Sequence, residues 1–265
     1  MTIEQGEQLT VAQAIANLVC DDLGLRFYAA WWLGRFRIQD ELGVERLIAA
    51  LDDVADRTED GGYPLRRNAA RALGKIGNGK AAPKLIESLD CEDFYVREAA
   101  AQSLEMLGDQ SAIPKLLERL QCGLSGTELV PQQPDCSEPY DAYLEALGTL
   151  GAVSAIDLIQ PFLRHPVERT QYAADRAMYQ LTGDEKYGNL LIEALRGNDL
   201  QLRRAALTDV GAIGYLPAAE AIFDTLAENS LKLIALKGVL EQQVRQQAAL
   251  SEGAIRVMAL MDGLL

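Results

Sequence analysis

The segment FYAAWWLGRFR, residues 27–37, places the only two tryptophans of the chain side by side, with two arginines close behind them. On a helix neighbouring residues point about 100° apart, so Trp31 and Trp32 cannot both sit at the centre of one buried stripe. Arg35 follows Trp31 by four residues and shares its face. Tyr28, Trp31 and Trp32 together offer flat apolar surface, and an apolar patch on a non-core face marks an interaction site. The alternative is an end cap, with the aromatics packed against the preceding helix, TVAQAIANLVC. Bond-making motifs are missing: the sequence holds no GxxxxGK[ST], HExxH or GxSxG. GKIGNGK (74–80) is rich in Gly and Lys but falls where one helix ends and the next begins, so it reads as a turn. Cys20, Cys91, Cys122 and Cys136 show no CxxC spacing and read as free thiols of a reducing cytoplasm. His165 stands alone, and Asp141 and Asp209 read as ordinary surface acids.

The elements that carry these residues follow from an internal repeat. LRRNAARALGKIGNGKAAPKLIESLD (65–90) returns as VREAAAQSLEMLGDQSAIPKLLERLQ (96–121), with Arg66 on Arg97, Leu73 on Leu104 and Gly77 on Gly108. Further copies begin near residues 143, 172 and 202, and the opening stretch is another, with Leu33 opposite Leu73 and Phe36 opposite Ile76. Each unit predicts two short amphipathic helices. Ala69, Ala70, Leu73 and Ile76 have helical spacing, Gly77 supplies a left-handed cap, and Pro83 suits the first turn of the next helix. Helices this short stand only when stacked. The expected fold is all-α, a right-handed α-solenoid of about six helix pairs and about a dozen helices. It forms a single domain over residues 1–265, with a loop insertion near 122–139. KLIALKGVLEQQVRQQAAL has helical spacing and suits a C-terminal cap.

Composition agrees: 49% of residues are hydrophobic but only 6% aromatic, and Ala and Leu, the strongest helix formers, dominate. A net charge of −14 repels phosphate backbones, which argues against a nucleic-acid partner. No apolar stretch is long enough to span a membrane, and MTIEQGEQLT lacks the parts of a signal peptide.

Aligned by repeat, Trp31 stands opposite Arg71, Gln102, Glu145, Arg176 and Thr208, a polar column expected to face solvent. Trp32 stands opposite Ala72, Ser103, Ala146, Ala177 and Asp209, all small or polar. Ala29, Ala30, Leu33 and Phe36 are the expected core of the first helix.

The pattern VR-x2-AA-x2-L-x2-L/IG with a following A-x-P-x-L helix resembles the bilin-lyase subclass of HEAT repeats over most of residues 65–222. FYAAWWLGRFR is more specific. It resembles the YYAAWWLGR signature of the E subunit of heterodimeric E/F phycobilin lyases, within which it is most similar to the lyases that load phycocyanobilin on the phycocyanin alpha subunit. Phe27 departs from the first tyrosine of that signature, which removes its hydroxyl. The NHCQGN motif of isomerising F-type partners is absent. The resemblance implies a HEAT-like solenoid acting with an F-type subunit as a heterodimer. The pair would direct a thioether between a cysteine of the phycocyanin alpha subunit and the ethylidene carbon of ring A of a linear tetrapyrrole. The attacking thiol then belongs to the acceptor, and no cofactor is implied beyond phycocyanobilin as substrate. The resemblance gives Tyr28, Trp31 and Trp32 the role of stacking on the bilin. Arg35, then Arg37, Arg66, Arg67 and Arg97, become candidate partners for its propionates, which guanidinium groups hold bidentately, and Asp141 and Asp209 become candidates for its pyrrole nitrogens that nothing raises above ordinary surface acids. Arg66, Arg97 and Arg203 also recur as repeat consensus, where bridging of neighbouring units is the plainer role. The aromatic first repeat implies stable association with a second HEAT-like subunit that closes a cavity over Trp31, Trp32 and Arg35. The contrasting class is a non-catalytic HEAT scaffold or chaperone acting on phycobilisome proteins.

Overall fold

Short Ala- and Leu-rich segments punctuated by glycine form helices that only packing stabilises. The computed structural model, which describes residues 9–125, 128–129, 137–246 and 250–265, is built almost wholly of them. The chain divides into two compact units: Met1–Arg119 with Gln132–Ala146, and Leu120–Pro131 with Leu147–Leu265.

The first unit contains α1 (Val11–Asn17), α2 (Leu23–Arg35), α3 (Glu41–Ala50), α4 (Pro64–Ile76), α5 (Ala82–Ser88) and α6 (Phe94–Leu107), then runs into α7 (Ile113–Gln121). Acidic caps start the leading helices. The Asp22 carboxylate accepts the Leu25 N–H at 3.0 Å for α2, and Asp93 accepts the Tyr95 N–H at 2.8 Å for α6. Helix α4 has Pro64 in its first turn, and Asp56 accepts the Leu65 N–H at 2.8 Å. Burial pushes the Asp56 carboxyl up despite that bond. Gly77 and Gly108 close α4 and α6 with φ of 78° and 68°, the left-handed caps expected there. Behind the first row, GNGK is a turn, as expected: the Asn78 side chain accepts the Lys80 N–H at 3.0 Å.

Helix α2 packs on α4, and α4 on α6. The approach is close because glycine faces a small residue at each crossing. A Cβ on Gly34 would lie 2.6 Å from the Ala72 Cα, and one on Gly74 2.6 Å from the Ser103 Oγ. Leu33, Leu73 and Leu104 are fully buried with the alanine pairs 29–30, 69–70 and 99–100. Phe36 corrects the expected core: it is 58% exposed. Helix α2 ends at Arg35, and Phe36 leaves helical geometry at φ −96°, ψ 3°, so its ring swings off the stripe. Its counterpart Ile76 is still helical and remains buried.

The insertion after α7 opens with β1 (Leu124–Ser125) paired antiparallel to β2 (Glu128–Leu129). Residues 130–136 of that expected loop lie outside the described residues. Helix α8 (Tyr140–Thr149) follows. The second unit continues with α9 (Ile156–Ile159), α10 (Glu168–Thr182), α11 (Glu185–Ala194), α12 (Leu200–Ile213), α13 (Ala219–Asp224), α14 (Asn229–Gln246) and α15 (Glu252–Asp262). Leu191, Leu207, Val210, Leu236, Val239 and Val257 centre its core. The small-residue crossing recurs: a Cβ on Gly148 would lie 2.6 Å from the Ala177 Cα. Among the described residues no helix is long and apolar enough to cross a membrane.

Candidate functional site

Tyr28 and Trp31 lie one turn apart on α2 and are 47% and 43% exposed. Their rings stack with centroids 5.5 Å apart and planes 28° apart. Trp32 is half-buried and tilts against Phe36 at 4.9 Å and 49°. Helix α1 packs on α2, but it leaves Tyr28 and Trp31 open to solvent, so these two are not end-cap core. Two aromatic pairs thus run along α2, one facing solvent and one partly covered.

The helix beside α2 brings the cations. Asn68 Nδ2 donates to the Phe27 carbonyl at 3.3 Å. With the Gly34–Ala72 crossing, this bond fixes α4 in the register that the repeat alignment gives. Helix α4 carries Arg67, Arg71 and Lys75 at the positions aligned with Phe27, Trp31 and Arg35. Arg71 pairs with Glu98 at 3.5 Å. Arg67 lies over the Tyr95 ring at 5.6 Å, and its Nε is buried without an acceptor. Arg35 and Arg37 are exposed and, like Arg67, have no carboxylate partner among the described residues. Free guanidinium groups stand out in a chain where 39 acids face 25 Lys and Arg.

Arg37 is the single non-glycine residue with positive φ among the described residues, at 50°. It holds the left-handed cap of α2 in a Schellman arrangement: Arg37 N–H reaches the Gly34 carbonyl at 3.2 Å, and Ile38 N–H the Leu33 carbonyl at 3.0 Å. Gly151 makes the same pair of bonds after α8, at 3.1 and 3.0 Å. A side chain in this region costs roughly 1–2 kcal/mol that glycine does not.

Arg66, unlike Arg35 and Arg37, is engaged by the scaffold. Its Nε donates to the Asp53 carbonyl at 2.6 Å, and its guanidinium covers the Tyr63 ring at 3.9 Å. The same helix-start position repeats the device. Arg26 reaches the Cys20 carbonyl at 2.5 Å, Arg97 the Cys91 carbonyl at 2.6 Å and Arg203 the Gly197 carbonyl at 2.7 Å. Arg97 also bonds the Ser137 carbonyl at 2.7 Å and Glu138 at 3.1 Å, and Arg203 the Leu226 carbonyl at 3.1 Å. These arginines tie neighbouring repeats together, as the consensus reading expects.

Sequence reasoning missed Tyr95. It is 54% exposed, meets Phe94 edge-on at 5.3 Å, and lines a cavity of about 470 Å³ with Tyr63, Arg67 and the 58–62 loop. Its signal was visible as the aromatic pair in FYVR, just before the consensus arginine. The Tyr63 hydroxyl donates to Glu92 at 2.6 Å, and that bond pushes the phenol up from its ordinary range.

In the second unit Asp209 is not a surface acid but is fully buried. Arg169 holds its Oδ2 at 2.7 Å and Arg176 its Oδ1 at 3.5 Å. Burial pushes the Asp209 carboxyl up while the two guanidinium groups pull it down. Burial and the charge of Asp209 push nearby Asp175 up to about 7. The solvent-facing expectation for the Trp31 column fails at Glu145 of the first unit and Arg176 of the second, which are buried. Burial also lowers His165, whose Nδ1 accepts the Val167 N–H at 3.1 Å. Cys20 and Cys91 are free thiols; Cys136 lies outside the described residues. No cluster of three His, Cys, Asp or Glu suited to a metal occurs among the described residues.

Comparison with known proteins agrees with this architecture. The PBS lyase HEAT-like repeat family matches residues 25–53, across the aromatic helix, and the HEAT repeats family matches residues 54–123. A phycocyanobilin lyase subunit alpha of Microchaete diplosiphon is 63% identical over 270 residues, covering 99% of this chain and 92% of the relative. The bilin biosynthesis protein PecE of Nostoc sp. (strain PCC 7120) is 41% identical over 258 residues, covering 97% of this chain and 96% of that protein. The solved complex of CpcE and CpcF of phycocyanin lyase from Nostoc sp. PCC7120 holds a chain of the same fold. It has a TM-score of 0.90 and 62% identity, covering 100% of this chain and 98% of that one.

Proposed function

This chain belongs to the family of phycocyanobilin lyase alpha subunits, and on that premise we infer that it is one subunit of a heterodimeric lyase. With an F-type partner it attaches phycocyanobilin, through a thioether, to a cysteine of the phycocyanin alpha subunit. The reaction is an addition. The acceptor sulfur bonds to the ethylidene carbon of ring A, and the proton goes to the adjoining ring carbon. Atoms and electrons balance without an oxidant, so phycocyanobilin enters as substrate and we propose no cofactor. We place the reaction in the cytoplasm, where the acceptor thiol stays reduced.

The observation that carries the residue-level reading is the exposed Tyr28–Trp31 stack with free Arg35 one turn beyond Trp31. A conjugated tetrapyrrole stacks on aromatic faces, and its propionates suit guanidinium groups. The part of this chain is then to bind, orient and shield. Holding thiol and ethylidene carbon together supplies several kcal/mol of barrier lowering without a covalent intermediate on this subunit. Tyr28, Trp31, Trp32, Arg35, Arg37 and Arg67 form the proposed bilin surface. One helical wall leaves the other face of a flat ligand open, which supports a cavity completed by the partner.

The test is co-expression with an F-type subunit, the phycocyanin alpha subunit and phycocyanobilin, followed by a denaturing gel read for covalent bilin fluorescence. The expected result is fluorescence only when both lyase subunits are present. Equal and rapid attachment by this chain alone refutes the two-subunit reading. No attachment by the pair refutes the lyase.

A further inference from the structure

We propose that Arg35 and Arg37 form a two-guanidinium clamp for the paired propionates of the tetrapyrrole, and that Arg37 is retained in a strained conformation for this purpose. The inference rests on the function just proposed and adds a carboxylate-specific subsite to it. Its first support is conformational. Arg37 alone among the described non-glycine residues has positive φ, and Gly77, Gly108, Gly151 and Gly214 take the aligned cap of later repeats. Gly151 shows that the same two cap hydrogen bonds form with no side chain at all. A side chain kept where glycine fits better points to a use for it.

The second support is charge. Arg35 and Arg37 are exposed and bond to no carboxylate among the described residues. Many other guanidinium groups are spent on carbonyls or acids, as Arg26, Arg97, Arg169 and Arg203 are. The C-terminal dipole of α2 favours cations there, but it asks for charge in the last turn, which Arg35 supplies, and does not require a non-glycine cap.

The third support is spacing. At 1.5 Å per residue, Tyr28 and Arg35 lie roughly 10 Å apart along α2. A tetrapyrrole stacked on Tyr28 and Trp31 carries its two propionates on adjacent central rings, and Arg35 and Arg37 follow at the C-terminal end of the same helix. Trp32 and Phe36, tilted together at 4.9 Å, supply apolar surface beside them.

The experiment uses the complex with its F-type partner and compares binding of phycocyanobilin with that of its dimethyl ester. The variants are Arg37→Gly and Arg37→Lys, with Trp31→Ala as the stacking control. Loss of one charge-assisted contact should weaken diacid binding by about tenfold or more in Arg37→Gly and leave the ester unchanged. Arg37→Lys should fall between. The melting temperature of Arg37→Gly should equal or exceed that of the natural chain, by up to about 2–4 °C, because strain is released. Equal weakening of diacid and ester, unchanged diacid binding, or a lowered melting temperature overturns the clamp. If Trp31→Ala weakens both ligands while Arg37→Gly affects neither, the bilin surface stands and the clamp falls. If the natural complex binds neither ligand, the functional reading fails and takes the clamp with it.

Discussion

Replacing Trp31 with alanine separates a binding surface from a structural cap, and the structure sets the size of each effect. A fully buried aromatic side chain covers about 150–250 Å². Trp31 is 43% exposed, so a little over half of that area is covered. At about 25 cal/mol per Å² this amounts to roughly 2–3.5 kcal/mol as an upper bound. Compaction of the denatured chain lowers the figure by about 10–40%. Truncation on an open face leaves no closed cavity, so the cavity penalty of a core site does not apply. The expected cost is about 1–3 kcal/mol, a fall in melting temperature of roughly 2–12 °C for a chain of this length. Thermal unfolding by circular dichroism reads the first quantity. Single-turnover transfer of phycocyanobilin to the acceptor, normalised to folded complex, reads the second. Transfer should fall by more than tenfold at a temperature where both proteins are folded. A melting temperature lowered by well over about 12 °C, with transfer per folded molecule unchanged, refutes the groove and restores the cap.

Four further outcomes follow from particular residues. Gly34→Val drives a side chain into backbone, since even a Cβ would lie 2.6 Å from the Ala72 Cα; destabilisation of about 1–3 kcal/mol or more is expected in chemical denaturation. Arg66→Ala should lower the melting temperature and leave transfer per folded molecule unchanged, because Arg66 binds the Asp53 carbonyl and covers Tyr63. Arg35→Ala should do the reverse. Asp175 gives a pH signature: its folded pKa of about 7 lies above the ordinary 3.8. Between those values the native state holds a proton that the unfolded state has lost, so stability falls as pH rises from about 4 to about 7 and is level above. Asp175→Asn should therefore raise the melting temperature at pH 8 and change it little at pH 4; an equal shift at both would exclude Asp175 as the titrating group.

Sequence exposed the features that each repeat must satisfy locally. Left-handed caps at Gly77 and Gly108, Pro83 in a first turn and the consensus arginines at 66, 97 and 203 all take the places that spacing assigns. What it hid depended on partners distant in sequence. Asp209 looked like a solvent marker because it is charged, yet Arg169 and Arg176 on α10 neutralise it in the interior. Phe36 looked like core because Ile76 is core, but α2 ends one residue earlier than α4 relative to the alignment. Tyr95 lay outside the aromatic motif and gained its meaning only when α6 placed it under Arg67. Helix α15 carried no repeat pattern and was not anticipated, although its Val257 and Leu260 join the core of the second unit.

The position of the aromatic motif follows from how the helices cross. In three of the five later repeats the residue aligned with Trp32 receives a glycine of the preceding repeat: Ala72 faces Gly34, Ser103 faces Gly74 and Ala177 faces Gly148. Those crossings admit only small side chains, which is why the column reads Ala or Ser at each of them. Helix α2 is preceded instead by α1, seven residues without a glycine, so its outer side escapes the restriction and holds an indole. Tyr28 shows the same release, since its counterparts Asn68 and Ala99 are buried against the neighbouring helix. Arg37 shows it a third time, at a cap that later repeats give to glycine. One copy of the repeat thus departs from the consensus at three positions on and just beyond a single helix, and the departures add stacking surface and positive charge. In an acidic array whose other copies are shaped by mutual packing, this is the repeat free to be shaped by a flat, carboxylate-bearing ligand.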